Sequence, residues 1–440
     1  MKQTLKLTDI VSLGFMLFAF FLGAGNIIFP PLSGHLSGDK VLLSTFGFLI
    51  TAVGLPIITL IALAIRGGSW KDVSQDLPKC VALIISVSMF VIIGPAVAAP
   101  RTGLVAYEML VKPFLTNTQD ELNLALFSFI FFAITTLFAW SRGNLINIIG
   151  NLLTPILLIS LIILAIAVML NPQGEIIPAQ GEYLTHALQK GFLEGYNTMD
   201  TFAALMFGVL LVDALRNKGI NQPNSLAKYL IISALIAAFG LTFVYVSLFY
   251  LGSTSSYLIS NPDNGAVILS LYVKALFGSY GQIALSLVVF LACLTTAIGL
   301  VSSCSDYFSS LTSISYKKWV IINGIACSVV ANIGLSNLIT LSTPVLFTLY
   351  PVLIALVTLA FLRKKLLHPK IVYRVVTFVA LIFSIVDSIK IAGFDIEIFK
   401  SFPFFEVGMT WLLPTTITII SMFLIEFYIK SKRSLKSITK

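Results

Sequence analysis

Two short stretches of this sequence place glycine beside polar residues inside otherwise apolar runs. In the first, Leu22-Gly23-Ala24-Gly25-Asn26 interrupts a run that Phe29-Pro30-Pro31 closes. In the second, Gly191-Phe192-Leu193-Glu194-Gly195-Tyr196-Asn197-Thr198-Met199-Asp200 turns apolar from Thr201 onward. A helix broken at such a place exposes amide N–H groups at one half-helix end and carbonyls at the other. The N–H end suits a carboxylate, and the carbonyls suit a dehydrated Na⁺. Glycines spaced as in the first stretch also serve close packing against a neighbouring helix. The second interrupted run tips the reading toward a binding site built from two broken helices.

A third pattern, Phe290-Leu291-Ala292-Cys293-Leu294-Thr295-Thr296-Ala297, places Ala292 three and four residues before two threonines. On a helix its carbonyl and both hydroxyls can converge on a small hard-cation site. The alternative is a threonine pair hydrogen-bonded back to the preceding turn. Asp200 could cap the second half-helix, meet a substrate amine or carry a coupling proton. Arg101, in Ala99-Pro100-Arg101-Thr102, is either a gate paired with an acid such as Glu108 or an arginine reaching the interface along its own stem.

The elements that must hold these residues are membrane helices. The 440 residues are 58% hydrophobic and 11% charged, with mean hydropathy +0.98. So few charges cannot cover a water-exposed surface of this size, and a bilayer must be the solvent. Apolar runs long enough to span it give about twelve segments, at 9–31, 41–65, 80–110, 122–140, 148–170, 191–215, 227–251, 280–304, 318–334, 340–362, 371–390 and 408–429. Residues 264–278 read as a short external helix, and Asn332, Gly334, Ser336 and Asn337 as a tight turn. With the N-terminus cytoplasmic, 21 of the 28 lysines and arginines fall on the inner side, Lys2, Arg142 and the tail after Lys430 among them. That bias fits an even helix number with both termini cytoplasmic. The whole chain, 1–440, reads as a single membrane domain.

Other classes find little support. The net charge of +9 lies in short loop clusters, not in a stripe, so no nucleic-acid partner is expected. Cys80, Cys293, Cys304 and Cys327 show no CxxC spacing and read as packing residues. Nucleotide-binding loops and HExxH or GxSxG motifs are absent, and His35, His186 and His368 fall in expected loops. No enzymatic activity is expected. Asp213, Asp306, Asp387 and Glu426 fall near segment ends and read as interfacial.

The stretches Gly23-Ala24-Gly25-Asn26-Ile27-Ile28-Phe29-Pro30-Pro31, Leu49-Ile50-Thr51-Ala52-Val53-Gly54-Leu55-Pro56, Gly94-Pro95-Ala96-Val97-Ala98-Ala99-Pro100-Arg101-Thr102, Gly195-Tyr196-Asn197-Thr198-Met199-Asp200 and Leu294-Thr295-Thr296-Ala297-Ile298-Gly299-Leu300 resemble bacterial branched-chain amino acid carriers (BrnQ-like, LIVCS family). These motifs, in order, cover nearly the whole chain. The resemblance implies an all-α polytopic membrane protein of the LeuT type, with discontinuous helices 1 and 6. It implies a 5+5 inverted repeat, here 9–170 and 191–362, and two further helices over 371–429. It also implies Na⁺-driven import of leucine, isoleucine and valine, with no organic cofactor.

By that likeness the substrate carboxylate sits on the amides of Ala24 and Gly25. Asn26, Tyr196, Asn197, Thr198 and Met199 complete the substrate site. Na⁺ sits among Ala19, Leu22, Ala292, Thr295 and Thr296, and Asp200 and Arg101 are expected in gating or coupling. One departure stands out: an asparagine that some such carriers place in the seventh helix for a second sodium is absent from residues 229–251. The competing expectations are a proton-coupled carrier of another small neutral amino acid, and a channel.

Overall fold

The computed structural model describes residues 5–115, 120–140, 154–394 and 396–438; the side chains of Thr154 and of 432–438 are not among them. It is helical, with no strand among the described residues. In chain order the helices are α1 (Leu7–Phe21), α2 (Ala24–Ser37), α3 (Val41–Leu49), α4 (Leu55–Arg66), α5 (Trp70–Ser74), α6 (Lys79–Val91), α7 (Ala98–Leu110), α8 (Asp120–Ala139) and α9 (Thr154–Leu170). They continue with α10 (Tyr183–Glu194), α11 (Asp200–Asn217), α12 (Pro223–Ser253), α13 (Gly265–Leu311), α14 (Tyr316–Ala331), α15 (Leu335–Leu362), α16 (Pro369–Ile391) and α17 (Leu412–Ile438). Among the described residues eight helices are long and apolar enough to cross a membrane. Counting Tyr183–Thr198 with Asp200–Asn217, bent by 41°, as one span makes nine.

Several expected boundaries move. The first apolar run splits after Phe21, and its second half continues through Pro30 and Pro31 to Ser37 instead of ending there. Proline inside a membrane helix is tolerated where neighbours satisfy the freed backbone groups. His35 consequently lies inside α2, only 2% exposed. The sixth span starts at Tyr183, and the third is interrupted where Gly94 leaves helical geometry (φ −84°, ψ −117°). Gly278, at φ 67°, separates a helical stretch from the long apolar remainder of α13. The start of the fifth expected segment at 148–153, and Lys2, Arg142 and the basic side chains from Lys432 onward, lie outside the described residues.

The chain forms two compact units. The first comprises Met1–Leu60 with Phe90–Ile339. In it α1 and α2 pack on α12, α13 packs on α7, and α10 packs on α3. Small residues set the approach of these helices, as is usual where lipid gives no hydrophobic drive to association. A Cβ on Gly34 of α2 would stand 2.1 Å from the Phe249 carbonyl oxygen of α12, and one on Gly252 would stand 2.0 Å from that of Pro31. The same reciprocal fit joins α3 to α10, with Gly47 against the Leu188 carbonyl and Gly191 against that of Ser44, both 2.0 Å.

The second unit comprises Ile61–Met89 with Thr340–Lys440. Asp76, Asp387 and Glu426 in this unit are buried and hydrogen-bonded. Asp387 accepts from the Thr410 N–H (3.0 Å) and hydroxyl (2.6 Å) and from the Trp411 N–H (3.3 Å). Glu426 accepts from the backbone N–H groups of Leu367 (2.5 Å) and His368 (3.0 Å). Arg363 pairs with Asp76, whose side chain is 4% exposed. Each carboxylate thus finds donors where burial alone would be costly.

The contact between α2 and α12 yields a direct expectation. Gly34→Ala should destabilise the protein by about 1–3 kcal/mol, the usual penalty of overpacking. Unfolding in mixed micelles measures this; unchanged stability would show that the two backbones can move apart freely.

Candidate functional site

The first helix opens over two residues. The Leu22 N–H donates to Phe18 O (2.8 Å), and the Gly23 N–H turns back to Phe21 O (2.6 Å). Ala19 therefore loses the donor that a continuous helix would supply, and Leu22 (φ −72°, ψ 72°) precedes the start of α2. These two carbonyls belong to the end of α1. On the other side of the break Gly23 is extended and provides no side-chain cap, so the amides of Ala24, Gly25 and Asn26 begin α2 without helical acceptors.

Gly23 and Gly25 are small because other groups crowd them. A Cβ on Gly23 would meet Thr296 Cγ2 at 3.0 Å, and one on Gly25 would meet Asn197 O at 3.2 Å and Arg101 Nη1 at 3.3 Å. Both breaks therefore come together with α7 and α13.

The second break runs through a 3₁₀ turn, Gly195–Thr198, and ends at Met199 in the left-handed region (φ 61°, ψ 14°). Non-glycine residues seldom adopt that geometry. Local bonds hold it: Met199 N–H to Tyr196 O (3.0 Å), Thr198 Oγ1 to Gly195 O (2.9 Å) and Asn197 Nδ2 to Glu194 Oε2 (3.0 Å). Thr51 contributes from outside. It lies in the widened turn Ile50–Gly54, and its hydroxyl donates to Phe192 O (2.7 Å).

Asp200 opens α11 and is 2% exposed. Its Oδ2 accepts from Asn26 Nδ2 (2.6 Å) and from the Tyr245 hydroxyl (3.1 Å), and Asn26 Nδ2 also donates to Tyr245 Oη. This cluster joins α2, α11 and α12. Arg101, also 2% exposed, donates from Nη1 to Asn197 O (2.5 Å), and its guanidinium carbon lies 5.2 Å from the centre of the Phe29 ring. Glu108, expected as its partner, instead bonds Lys112 at 2.8 Å. Arg101 is thus buried at the meeting point of the two breaks.

A cavity of about 30 Å³ lies between the breaks, bordered by residues 23–26, Arg101, Thr198, Met199, Asp200, Phe207 and Thr296. A second, of about 20 Å³, is bordered by Ala19, Leu157, Ala292 and Thr295. The threonine pair is divided between them. Thr295 Oγ1 donates to Ala292 O (2.9 Å), as a back-bonded threonine does. Thr296 Oγ1 is buried without a hydrogen-bond partner and lies 3.4 Å from where a Gly23 Cβ would stand. The expected ion-site residues therefore gather around the first break but do not converge on a single cavity, and Leu22 borders neither.

Tyr245 and Thr51 carry geometry that the sequence did not single out. A tyrosine within an apolar run has no marking context. Thr51 lies within the recognisable 49–56 stretch but gives no sign of which turn it holds.

Over residues 6–428 the sequence matches the family described as branched-chain amino acid transport protein. The chain belongs to that family. Among its relatives, the branched-chain amino acid transport system 2 carrier protein of Pseudomonas aeruginosa is 41% identical over 94% of this chain and 95% of its own length. The branched-chain amino acid permease BrnQ of Escherichia coli is 41% identical over 96% of both. Among solved structures, Mhp1, a nucleobase-cation-symport-1 family transporter in a closed conformation, shares the fold, with a TM-score of 0.60 at 14% identity over 96% of this chain and 93% of that one. This branched-chain amino acid transport protein is therefore an all-α, multi-pass membrane transporter and not an enzyme.

The Asp200 cluster can be probed by substitution. Tyr245→Phe removes a side-chain donor from a buried carboxylate and should cost about 1–3 kcal/mol of stability. Combined with Asp200→Asn the losses should not add, because one network is involved. Thermal unfolding of the single and double variants reads this, and full additivity would mean the groups act independently.

Proposed function

We propose that the protein is a secondary active symporter that imports leucine, isoleucine and valine across the bacterial inner membrane, driven by a Na⁺ gradient. The observation that carries this reading is the meeting of two helix interruptions, at Leu22 and Gly23 and at 195–199, around one buried cavity. Interrupted membrane helices expose backbone dipoles where a bilayer otherwise forbids it, and they do so at transport sites. The family and the two relatives, whose names specify branched-chain amino acids, support the substrate class.

In this reading the substrate carboxylate rests on the amides of Ala24 and Gly25, beside Asn26. Its ammonium faces the backbone of the second break, at Tyr196, Asn197, Thr198 and Met199. The apolar side chain points toward Phe20, Phe21, Phe207 and Leu300, which also border the cavity. At about 30 Å³ that cavity is too small for a leucine. The bordering helices must separate to admit the solute, as alternating access requires.

Na⁺ binds at the end of α1. The Ala19 and Leu22 carbonyls, deprived of helical donors, and the unpartnered Thr296 hydroxyl support this assignment; Thr295 and Ala292 stand beside them. The ion couples its gradient to solute movement by binding one conformer better than the other.

A second reading, proton coupling through Asp200, has one observation in its favour. This buried carboxylate has no lysine, arginine or histidine nitrogen within 4.0 Å among the described residues. Uptake of labelled leucine into proteoliposomes separates the readings. Accumulation that needs an inward Na⁺ gradient at fixed pH, and that unlabelled isoleucine and valine abolish, is the expected result. Accumulation that follows a pH gradient and ignores Na⁺ transfers the coupling to Asp200.

The ion site has its own test. Thr296→Ala should raise the Na⁺ concentration for half-maximal uptake by about tenfold or more, the loss of one charge-assisted contact. Thr295→Ala should do less, because its hydroxyl is already engaged. Unchanged sodium activation in the double variant overturns the assignment.

A further inference from the structure

If a branched-chain amino acid binds between the two breaks, on which this inference rests, two side chains of opposite charge lie beside it. Arg101 from α7 and Asp200 from the start of α11 both border that cavity, each 2% exposed. Opposite charges buried in a low dielectric are expensive to keep, and in a membrane protein they mark function.

Asp200 takes Asn26 and Tyr245 on Oδ2, and Oδ1 accepts from neither. Arg101 Nη1 donates to the Asn197 carbonyl while lying against Gly25, in the first turn of α2. The start of a helix carries partial positive charge, so a guanidinium beside it is repelled. That juxtaposition becomes favourable when an anion lies against both. A carboxylate there would have the α2 amides and a guanidinium as donors, with geometry a planar fork can match. Asp200 provides the complementary negative end.

We infer that Arg101 and Asp200 recognise the two ends of a zwitterion, Arg101 binding the substrate carboxylate together with the Ala24 and Gly25 amides, and Asp200 binding its ammonium. The pair then selects α-amino acids over apolar amines and apolar acids of the same shape. Backbone groups at the breaks can accept either kind of half-molecule; Arg101 and Asp200 together reject both, because each half leaves one of the two side chains without its counterpart on the solute.

The test uses leucine and its two truncations: 3-methylbutylamine, which lacks the carboxylate, and 4-methylpentanoate, which lacks the ammonium. Affinities of the purified full-length protein in Na⁺ are read from ligand-induced thermal stabilisation. Wild-type protein should bind each truncation about 30-fold or more weaker than leucine, as for loss of one buried charged partner. Arg101→Gln should weaken leucine by a similar factor while leaving 3-methylbutylamine within about twofold. Asp200→Asn should weaken leucine and leave 4-methylpentanoate unchanged.

If Arg101→Gln does not fold, Arg101→Lys keeps the charge but loses the fork, and should weaken leucine selectively in the same sense. Equal weakening of leucine and 3-methylbutylamine in the Arg101 variants would show that Arg101 only holds the Asn197 carbonyl, and overturns the inference. Equal weakening of leucine and 4-methylpentanoate in Asp200→Asn overturns it as well. Wild-type protein that binds none of leucine, isoleucine and valine overturns the substrate assignment itself, and this inference with it.

Discussion

The hydrogen bonds that Asn26 and Tyr245 give to Asp200 tie together α2, α11 and α12 at the one place where two helices are interrupted. A bilayer offers no water to satisfy an opened backbone, so each break needs partners from within the protein. At the second break these partners are mostly side chains: Thr51 on the Phe192 carbonyl, Arg101 on that of Asn197, Thr198 on that of Gly195. At the first they are missing. The Ala19 and Leu22 carbonyls and the first amides of α2 are left to whatever enters. The asymmetry between a braced break and an open one comes from which neighbours carry polar side chains.

Charge placement obeys the same logic. The second unit satisfies its buried ionisable groups locally: Asp387 with Thr410 and Trp411, Glu426 with the turn at Leu367 and His368, Arg363 with Asp76. Near the cavity, Asp200 is held by the neutral side chains of Asn26 and Tyr245, both on one oxygen. Local closure suits groups whose work is to hold helices together. The Asp200 carboxylate, by contrast, borders a cavity.

Much of this arrangement was legible in the sequence, because glycine next to polar residues inside an apolar run is hard to explain otherwise. Both breaks lie where Gly23 and Gly195 mark them, and the turn at Gly334 and the separation at Gly278 fall where punctuation residues stand. The misreadings have physical causes. Pro30 and Pro31 suggest a helix end in water but persist inside α2 in an apolar setting. Arg101 looks interfacial because position along a segment says nothing of the break at Gly94 that precedes it. The threonine pair is adjacent in sequence, and adjacent residues on a helix point about 100° apart, so Thr295 and Thr296 border different cavities. Tyr245 could not be singled out at all, since only tertiary packing brings it to Asp200.

The glycine contacts between α2 and α12 also limit how the transporter can move. With Gly34 under the Phe249 carbonyl and Gly252 under that of Pro31, the two backbones interlock like a key and its slot. Sliding or turning α2 so that Ser33 or His35 takes the place of Gly34 drives a Cβ into the same oxygen. These two helices must therefore travel as one lever, carrying Asn26 and Tyr245 with them, and α3 and α10 form a second lever by the same reciprocal fit. Whatever opens the cavity has to work at seams other than these, with Asp200 released from one lever or dragged along by it.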